Sequence, residues 1–288
     1  MERKSINVLS LFDGMSCGQI ALSNSKIIVK NYYASEIKKH AIETTMYNYP
    51  KTQQIGSIEF VNSSNLPIID LVIGGSPCQD LTLINRKGGL KGDKSILFYE
   101  YLRVLRQVLK INPNAEFLLE NVASMKVKDR EIISNELGVE PIFINSNLVS
   151  AQDRRRLYWT NIKGVCKPKD LGVHLNSVID YDRPPEENMS IKKSQFIEKK
   201  RGGTMYVRVD GKKSMPITAR GYAAWNTQFI TGKNGLIRDL TLDEYKKLQT
   251  IPESYIFNCI KSKATDLIGD GWTVDVISHI LSYSKFND

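Results

Sequence analysis

The sequence predicts an α/β fold in which a mostly parallel sheet is covered by helices on both faces. Up to about residue 162, short apolar runs bounded by turn signals alternate with amphipathic stretches of helical length, which indicates βαβ units. The composition, 41% hydrophobic and 25% charged residues, is that of an ordinary globular protein. A chain of 288 residues can hold one large domain, or one large and one small.

The elements of the large domain follow from the apolar patterning. The predicted strands cover residues 7–12, 27–34, 70–74, 116–121, 141–147 and 157–162. The first helix follows the segment DGMSCG. The other predicted helices cover residues 39–49, 96–111 and a stretch near 129–137. Pro50 stops the second helix, and the third shows a strong amphipathic pattern.

The character of the chain changes after about residue 164. Residues 165–237 are rich in Gly, Pro, Lys and Ser and contain only short extended pieces, so we expect a small, loop-rich region there. Regular helix returns at residues 239–249 and 273–283. We therefore divide the chain into residues 1–164, 165–237 and 238–288. The last helix is expected to return to the first of these segments.

The charge distribution points to a polyanionic partner. The formal net charge is +9, and residues 192–238 carry eleven Lys or Arg against two acids. Such a surface can be an ordinary solvated face, or it can neutralise phosphates. The chain has no apolar run of membrane-spanning length, and its four cysteines and three histidines show no metal-ligand spacing. We expect a reduced, intracellular protein with no metal and no membrane partner.

The loop after the first strand, LFDGMSCG, predicts a nucleotide site. Its glycines allow a sharp turn and a close approach to a ligand, and the next helix offers its N-terminus to an anion. Glu36 ends the second predicted strand, where an acid suits a pair of ribose hydroxyls. There is no Walker lysine motif, which favours an adenosine with a small anionic group over a triphosphate.

A second group of reactive side chains follows the later strands. Cys78, in GGSPCQDL, comes directly after a buried strand, and Glu120 ends another. The carboxyl ends of parallel strands share one edge of the sheet, where ligands usually bind. Arg154 and Arg156, in QDRRRLYW, are expected on one face of a beginning strand. Each feature alone also fits a plain structural explanation.

Taken together and in order, these motifs resemble the DNA (cytosine-5) methyltransferases. The series LFDGMSCG, ASE, GGSPCQDL, ENV, QDRRRLYW, RDLTLDEYKKLQ and GDGW spans the chain apart from its middle region. The motifs are similar to those of the animal de novo branch, whereas the compact length is similar to that of bacterial or phage enzymes. The resemblance implies a Rossmann-like S-adenosylmethionine-dependent methyltransferase fold with a small, loop-rich target-recognition domain at residues 165–237.

The same resemblance implies a set of catalytic residues. Cys78 would attack C6 of cytosine, because a thiolate added there makes C5 nucleophilic toward a sulfonium methyl. Glu120 would hold N3 and the exocyclic amine of the base and supply a proton. Arg154 and Arg156 would pin the base and stabilise developing charge.

S-adenosylmethionine is the cofactor that the resemblance implies. Phe12 would stack on the adenine, Gly14 and Gly18 would let the backbone approach, and Glu36 would bind the ribose. Further positions match family residues that line this site: Asp13, Ile37, Ser57, Ile58, Pro77, Leu97, Asp270 and Trp272. Ser57 replaces an aspartate that many members use to contact the adenine amine, and Asp270 replaces an asparagine.

The implied substrate is double-stranded DNA, whose target base must leave the helix before it can react. The loop after Cys78 would be mobile, with Ile84 as an apolar wedge and with Arg86 and Lys87 at phosphates. In the middle region, Arg220 could read a guanine and Asn226 an adenine.

The resemblance also has implications for the cellular context of the protein. A cognate restriction endonuclease that acts separately is one partner that it implies. We expect a cytoplasmic protein of a bacterial or phage-infected cell, associated with the nucleoid through DNA. Two alternatives stay open: a tRNA cytosine-5 methyltransferase on the same scaffold, and a catalytically silent relative that only binds DNA.

Overall fold

A computed structural model describes residues 5–76, 97–182, 190–191, 208–219, 228–233, 235 and 237–287. The chain divides into two compact units, each built from separate stretches of sequence. Unit 1 comprises Met1–Ile144, Arg155–Pro168 and Val276–Asp288. Unit 2 comprises Asn145–Arg154 and Lys169–Asp275.

Unit 1 is built on a seven-stranded sheet of order β3-β2-β1-β4-β5-β7-β6. The strands are β1 (Ile6–Leu11), β2 (Val29–Ser35), β3 (Gln53–Gln54), β4 (Leu71–Gly75), β5 (Glu116–Val122), β6 (Ile142–Asn145) and β7 (Arg155–Thr160). The neighbours from β3 to β5 pair in parallel, whereas β7 runs antiparallel to β5. The predicted mostly parallel sheet is confirmed.

Helices complete unit 1, and each arises where the apolar residues recur at helical spacing. They are α1 (Cys17–Asn24), α2 (Lys39–Asn48), α3 (Leu97–Ile111), α4 (Val127–Leu137) and, near the end of the described chain, α7 (Val274–Leu281). In α3 the residues Phe98, Tyr101, Leu102 and Leu105 recur at intervals of three and four and are buried. They join Leu9, Val72 and other sheet residues in one apolar core.

The strand order places a ligand-binding crevice at β1. The chain leaves β1 for β2 on one side, whereas β4 lies on the other side, so the order reverses at this strand. In open α/β sheets, ligands bind outside the carboxyl ends of the strands at such a switch point. The carboxyl ends of β1, β2, β4 and β5 therefore lie at one edge of the sheet.

The end of the described chain packs onto unit 1. The Ser25 hydroxyl donates a hydrogen bond to the Ser278 carbonyl at 3.0 Å, and the Ser284 hydroxyl donates to the buried Glu116 carboxylate at 2.5 Å. In the described part of the chain, no helix is long and apolar enough to cross a membrane.

The described residues of unit 2 form a four-stranded sheet of order β8-β11-β10-β9 and two α-helices. The strands are β8 (Ser190–Ile191), β9 (Arg208–Val209), β10 (Gln228–Thr231) and β11 (Ile237–Asp239), and the helices are α5 (Leu242–Leu248) and α6 (Lys261–Asp270). The described strands β8, β9 and β10 have two to four residues each, in keeping with the short extended pieces that the sequence predicts there.

The helix predicted at residues 239–249 begins later than expected. Asp239 belongs to β11, and α5 starts after Thr241, which forms a capping box with Glu244. A buried ion pair between Arg238 and Glu244 at 2.8 Å joins the strand to the helix. The polar run before Leu242 therefore marks a strand end and a helix cap.

Candidate active site

The loop between β1 and α1 has an unusual backbone. Phe12, Gly14 and Ser16 all have φ of 58°, so left-handed residues alternate along the loop. A positive φ is uncommon in residues other than glycine, and such strain is concentrated at functional sites. The Asp13 amide donates to the Ser35 carbonyl at 3.1 Å, which ties the loop to the end of β2.

Glu36 closes this loop from the second strand. Its carboxylate accepts hydrogen bonds from the backbone amides of Gly14 at 2.8 Å, Ile37 at 2.7 Å and Lys38 at 2.9 Å. Three backbone donors fix the carboxylate in place without a mobile side chain. The structure therefore brings together Gly14 and Glu36, the pair from which the sequence predicts a nucleotide site.

Asp13 is part of the same loop. Its carboxylate accepts hydrogen bonds from the Ser16 hydroxyl and from the Tyr32 hydroxyl, the latter at 2.7 Å. The residue is only partly covered from solvent, yet protein atoms surround the carboxylate. This burial raises the pKa of Asp13 to about 6, against the hydrogen bonds from Ser10, Ser16 and Tyr32, which lower it.

Gly18, in the first turn of α1, allows the helix to lie close to the sheet. A Cβ at this position would be 2.4 Å from Cδ1 of Ile73 and 2.8 Å from the Tyr32 hydroxyl. No larger residue fits without displacement of those side chains. In the structure, Gly18 thus allows a close approach between α1 and the sheet.

The other predicted cofactor residues of unit 1 differ in exposure. Ile37 is 73% exposed, next to Glu36, whereas Ile58 is buried in a single 3-10 turn that Ser57 precedes. Leu97 and Phe12 are partly buried and pack against the apolar core. Ile37 and Phe12 thus leave apolar surface beside the Gly14–Glu36 pair.

A second group of site residues lies where β4 and β5 end. Glu120 is in register with Gly75 of the parallel strand β4, three residues before Cys78. Its Oε1 lies 2.7 Å from Nε of Arg156, which is at the beginning of the antiparallel strand β7. Both side chains are largely shielded, with 11% of Glu120 and 15% of Arg156 exposed. This ion pair is therefore screened less than a surface pair.

Asn121 also shapes this corner, although no role is predicted for it from the sequence. Its buried amide donates to the hydroxyl of Ser76 at 3.0 Å, just beyond the end of β4. This contact holds the chain two residues before Cys78. A polar amide next to Glu120 near the end of a buried strand is the signal that could have identified it.

Arg154 has a different environment from Arg156. It directly precedes β7, which begins at Arg155, and its hydrogen-bond partners differ from the Glu120 carboxylate that pairs with Arg156. Its guanidinium donates to the carbonyls of Ile217 at 2.6 Å, Gly269 at 3.0 Å and Gly271 at 2.8 Å, all within unit 2.

The remaining predicted site residues lie in unit 2 or outside the described residues. Asp270 is exposed at the end of α6, and Trp272 is half-buried just beyond it. The residues outside the described ranges are Pro77, Cys78, Ile84, Arg86, Lys87, Arg220 and Asn226. Their roles stay predictions. Within the described ranges, no group of three or more His, Cys, Asp or Glu is placed to bind a metal ion.

Comparisons with known proteins show which family the chain is similar to. The family model of the C-5 cytosine-specific DNA methylases matches residues 6–176 and 169–285. The type II methyltransferase M1.ScrFI of Lactococcus lactis subsp. cremoris is 26% identical in an alignment of 302 residues that covers 95% of this chain and 76% of the relative. The orphan methyltransferase M.SPRI of Bacillus phage SPR is 24% identical, with 96% of this chain and 58% of the relative covered.

A solved structure shows the same fold. A Dnmt2 variant from Spodoptera frugiperda superposes with a TM-score of 0.76 at 19% identity, covering 97% of this chain and 99% of that one. The likeness confirms the predicted Rossmann-like methyltransferase fold, and the family implies the use of S-adenosylmethionine. With the family model matching nearly its whole length, the chain belongs to the C-5 cytosine-specific DNA methylases and is a DNA (cytosine-5) methyltransferase.

Proposed function

We propose that this enzyme methylates cytosine at C5 within a specific sequence of duplex DNA, through a covalent bond between Cys78 and C6 of a flipped base. The observation that carries the proposal is the Glu120–Arg156 ion pair at 2.7 Å. It lies at the end of β5, alongside the end of β4 that leads to Cys78. An acid, a cation and a nucleophile thus come from neighbouring strand ends.

The cysteine supplies the activation that cytosine needs. The Cys78 thiolate would form a bond to C6, the electron pair of the C5–C6 double bond would form a double bond between C4 and C5, and the electron pair of the C4–N3 double bond would take up a proton at N3. The resulting enamine is nucleophilic at C5. S-adenosylmethionine, when bound, supplies an electrophilic sulfonium methyl group. A base then removes the C5 proton, the C5–C6 double bond re-forms as the Cys78 thiolate leaves, and N3 gives its proton back to the Glu120 carboxylate.

Glu120 and Arg156 would recognise the ring. Glu120 would face N3 and the exocyclic amine of the base. Once its carboxylate has taken up a proton from solvent, it would deliver that proton to N3. Arg156 holds that carboxylate at 2.7 Å and would stabilise the charge that develops on the base. Asn121, through Ser76, would keep the approach to Cys78 in position.

The loop between β1 and α1 would hold the cofactor. The residues present fit its adenosine moiety. Phe12 offers apolar surface for the adenine, Gly14 a backbone turn, and Glu36 a carboxylate for the ribose hydroxyls. Asp13, Gly18, Ile37, Ser57, Ile58, Pro77 and Leu97 of the predicted lining would complete the site, with Asp270 and Trp272 from the later part of the chain.

DNA recognition would fall to the basic middle region. Residues 192–238, which carry eleven Lys or Arg against two acids, suit the phosphate backbone. Arg220 and Asn226 would read bases, Arg86 and Lys87 would contact phosphates, and Ile84 would fill the space left by the flipped base. We also propose residues 165–237 as the target-recognition region. A cognate endonuclease would act separately.

Methyl transfer from labelled S-adenosylmethionine to unmethylated duplex DNA, with total tRNA as the second substrate, tests this function. Bisulfite sequencing of the DNA product locates the methylated cytosines. Label at cytosine within one short DNA context supports the proposal and reveals the target. Label only in tRNA favours the tRNA alternative, and label in neither favours the silent relative.

The covalent step has its own test. In DNA that carries 5-fluorocytosine at the target, the base has no C5 proton to lose, so the Cys78 adduct should persist and migrate as a larger species under denaturing conditions. Cys78→Ser should abolish both this adduct and methyl transfer. The control is Cys166→Ser, which changes an exposed thiol. An adduct that survives in Cys78→Ser would exclude this nucleophile.

A further inference from the structure

A buried cluster of polar side chains surrounds Arg154 in unit 2. The Arg154 residue is 4% exposed, and its planar guanidinium donates to three carbonyls, those of Ile217, Gly269 and Gly271. A buried cation is costly unless hydrogen bonds satisfy it. These three carbonyls come from two stretches of chain about 50 residues apart in sequence, so the guanidinium ties the two stretches together.

Gln152 fixes the first of these stretches. Its Oε1 accepts from the Ile217 amide at 2.7 Å, and its Nε2 donates to the Leu248 carbonyl at 3.0 Å. The side chain is completely buried. The backbone of Gln152 also forms a parallel β-bridge with Ser214. Ile217 is therefore held from both sides, through its amide by Gln152 and through its carbonyl by Arg154.

Gly269 is a second, independent indication that the stretch around residues 269–271 packs closely against the stretch around Ile217. A Cβ at Gly269 would lie 2.3 Å from the Ala219 amide nitrogen and 2.4 Å from the Thr218 carbonyl carbon. Both are backbone atoms, which cannot rotate away as a side chain can. The backbone of α6 therefore rests directly on residues 218–219, the last residues described before the segment 220–227.

Gln249 extends the cluster to the turn after α6. Its Nε2 donates to the Ile268 carbonyl at 2.9 Å, and its Oε1 accepts from the Thr273 hydroxyl at 2.7 Å. Its backbone carbonyl accepts from the Val274 amide at 3.0 Å. The turn that carries Trp272 is thus fastened to the same set of side chains as Ile217.

We infer that Arg154, with Gln152, Gln249 and Gly269, positions residues 217–219, and that Arg154 acts on sequence specificity through this stretch, which precedes Arg220 in the sequence, instead of touching the reacting base. The inference rests on the proposed function, which assigns segment 220–227 to DNA recognition. Because the cluster also holds the 271–273 turn, the same side chains join residues 217–219 to a predicted cofactor residue.

A comparison of three neighbouring lysine variants tests this inference. Arg154→Lys keeps the positive charge, but one ammonium cannot reproduce the planar fork that reaches three carbonyls. The loss of one charge-assisted hydrogen bond corresponds to about a tenfold change, so the KM for DNA should rise by at least about tenfold. The methylated context in a random-sequence library should broaden, and kcat at saturating DNA should stay within about threefold of the original.

Arg156→Lys and Arg155→Lys complete the comparison. Arg156→Lys should lower kcat by about 100-fold with little change in the KM for DNA, because Arg156 contacts the proposed acid. Arg155 is exposed and adjacent, so Arg155→Lys is the matched control and should behave as the unmodified enzyme. If Arg154→Lys instead loses kcat at an unchanged KM and an unchanged sequence context, Arg154 is catalytic and the inference fails.

Hydrogen exchange separates this inference from the proposed function. Arg154 holds the carbonyl of Ile217, Gln152 holds its amide, and Gly269 packs against residues 218–219. Amides of residues 217–219 should therefore exchange faster in Arg154→Lys and in Gly269→Ala, but not in Arg155→Lys. This readout needs no methyl transfer, and it stays informative if the unmodified enzyme proves inactive on DNA. Unchanged exchange in both soluble variants would overturn the positioning role. If Arg154→Lys does not fold, Gly269→Ala carries the same measurements.

Discussion

Two corners of the same sheet edge hold their carboxylates in different ways. At the β1 corner, formed by Phe12–Gly18 and Glu36, the Glu36 carboxylate accepts from three backbone amides. At the β5 corner, formed by Gly75, Glu120 and Arg156, the Glu120 carboxylate pairs with a guanidinium. The first set of donors belongs to the main chain, whereas the second donor is a side chain with several rotatable bonds.

This difference suits two different tasks. Backbone donors keep a carboxylate in one orientation, which suits a group that binds the same ribose in every reaction cycle. A side-chain partner can shift by a rotamer when a base enters and leaves, which suits a group that must exchange hydrogen bonds. The comparison predicts that changes at the β5 corner affect the reaction rate, and that changes at the β1 corner affect stability and cofactor affinity.

The largest effect is expected from Glu120→Gln. The amide keeps the shape of the side chain but cannot deliver a proton to N3, so kcat should fall by about 100-fold or more with the Kd for S-adenosylmethionine nearly unchanged. Single-turnover methyl transfer and calorimetric titration measure the two quantities. Glu136→Gln is the control, because Glu136 also pairs with an arginine at 2.7 Å. A variant that keeps kcat within about threefold would contradict the role of Glu120.

The next effect concerns the pH dependence of stability at the β1 corner. Burial raises the pKa of Asp13 from 3.8 to about 6, so its contribution to stability is fully present below pH 3.8 and is lost as the pH rises through 6. The free energy of unfolding, minus that of Asp13→Asn, should therefore decrease between pH 4 and pH 7, by at most about 3 kcal/mol. Urea titrations at several pH values measure it; a constant difference would refute this assignment.

A smaller effect is expected from Gly18→Ala. The new methyl group would lie 2.4 Å from Cδ1 of Ile73, so either α1 or Ile73 must move, and overpacking of this kind costs about 1–3 kcal/mol. Chemical denaturation measures the loss. Gly14→Ala is a useful comparison, because nothing lies within 4 Å of its Cβ and only the positive φ opposes it. A neutral Gly18→Ala would show that α1 is free to shift away from the sheet.

The smallest effect is expected from Glu36→Gln. The amide nitrogen would either face the Gly14 amide, donor against donor, or replace the acceptor of Ile37 and Lys38. The Kd for S-adenosylmethionine should rise by about tenfold, with kcat at saturating cofactor unchanged. Calorimetry measures the affinity, and Glu43→Gln, on the exposed face of α2, is the control. A loss of kcat would erase the distinction between the two corners.

Much of the fold is readable from the sequence because the strands of unit 1 are apolar runs with clear ends. Errors occur where local pattern and packing disagree. Asp239 and Leu240 look like the beginning of a helix, yet Asp239 pairs with Phe229 in the small sheet. The helix α6 escapes prediction because its closing Gly269 and Asp270 are typical of a turn.

The site can be predicted where it depends on residues that follow adjacent strands. It cannot be predicted where a side chain binds backbone groups that are distant in the sequence. Gly14 and Glu36 meet as predicted, because both follow adjacent parallel strands. The direction of the Arg154 side chain is set by carbonyls at Ile217, Gly269 and Gly271, and no local pattern near Arg154 contains them. The raised pKa of Asp13 likewise depends on burial that only the packed loop creates.

The discontinuity of unit 1 has a consequence for its synthesis. The sheet is complete after Pro168, but Ser25 and Glu116 find their partners only at Ser278 and Ser284, beyond the whole of unit 2. At a translation rate of about 5–20 residues per second, roughly a hundred intervening residues hold unit 1 unfinished for about 5–20 seconds. During that interval the nascent chain exposes the surface that α7 later covers, so chaperone binding at this stage is expected to favour the yield of active enzyme.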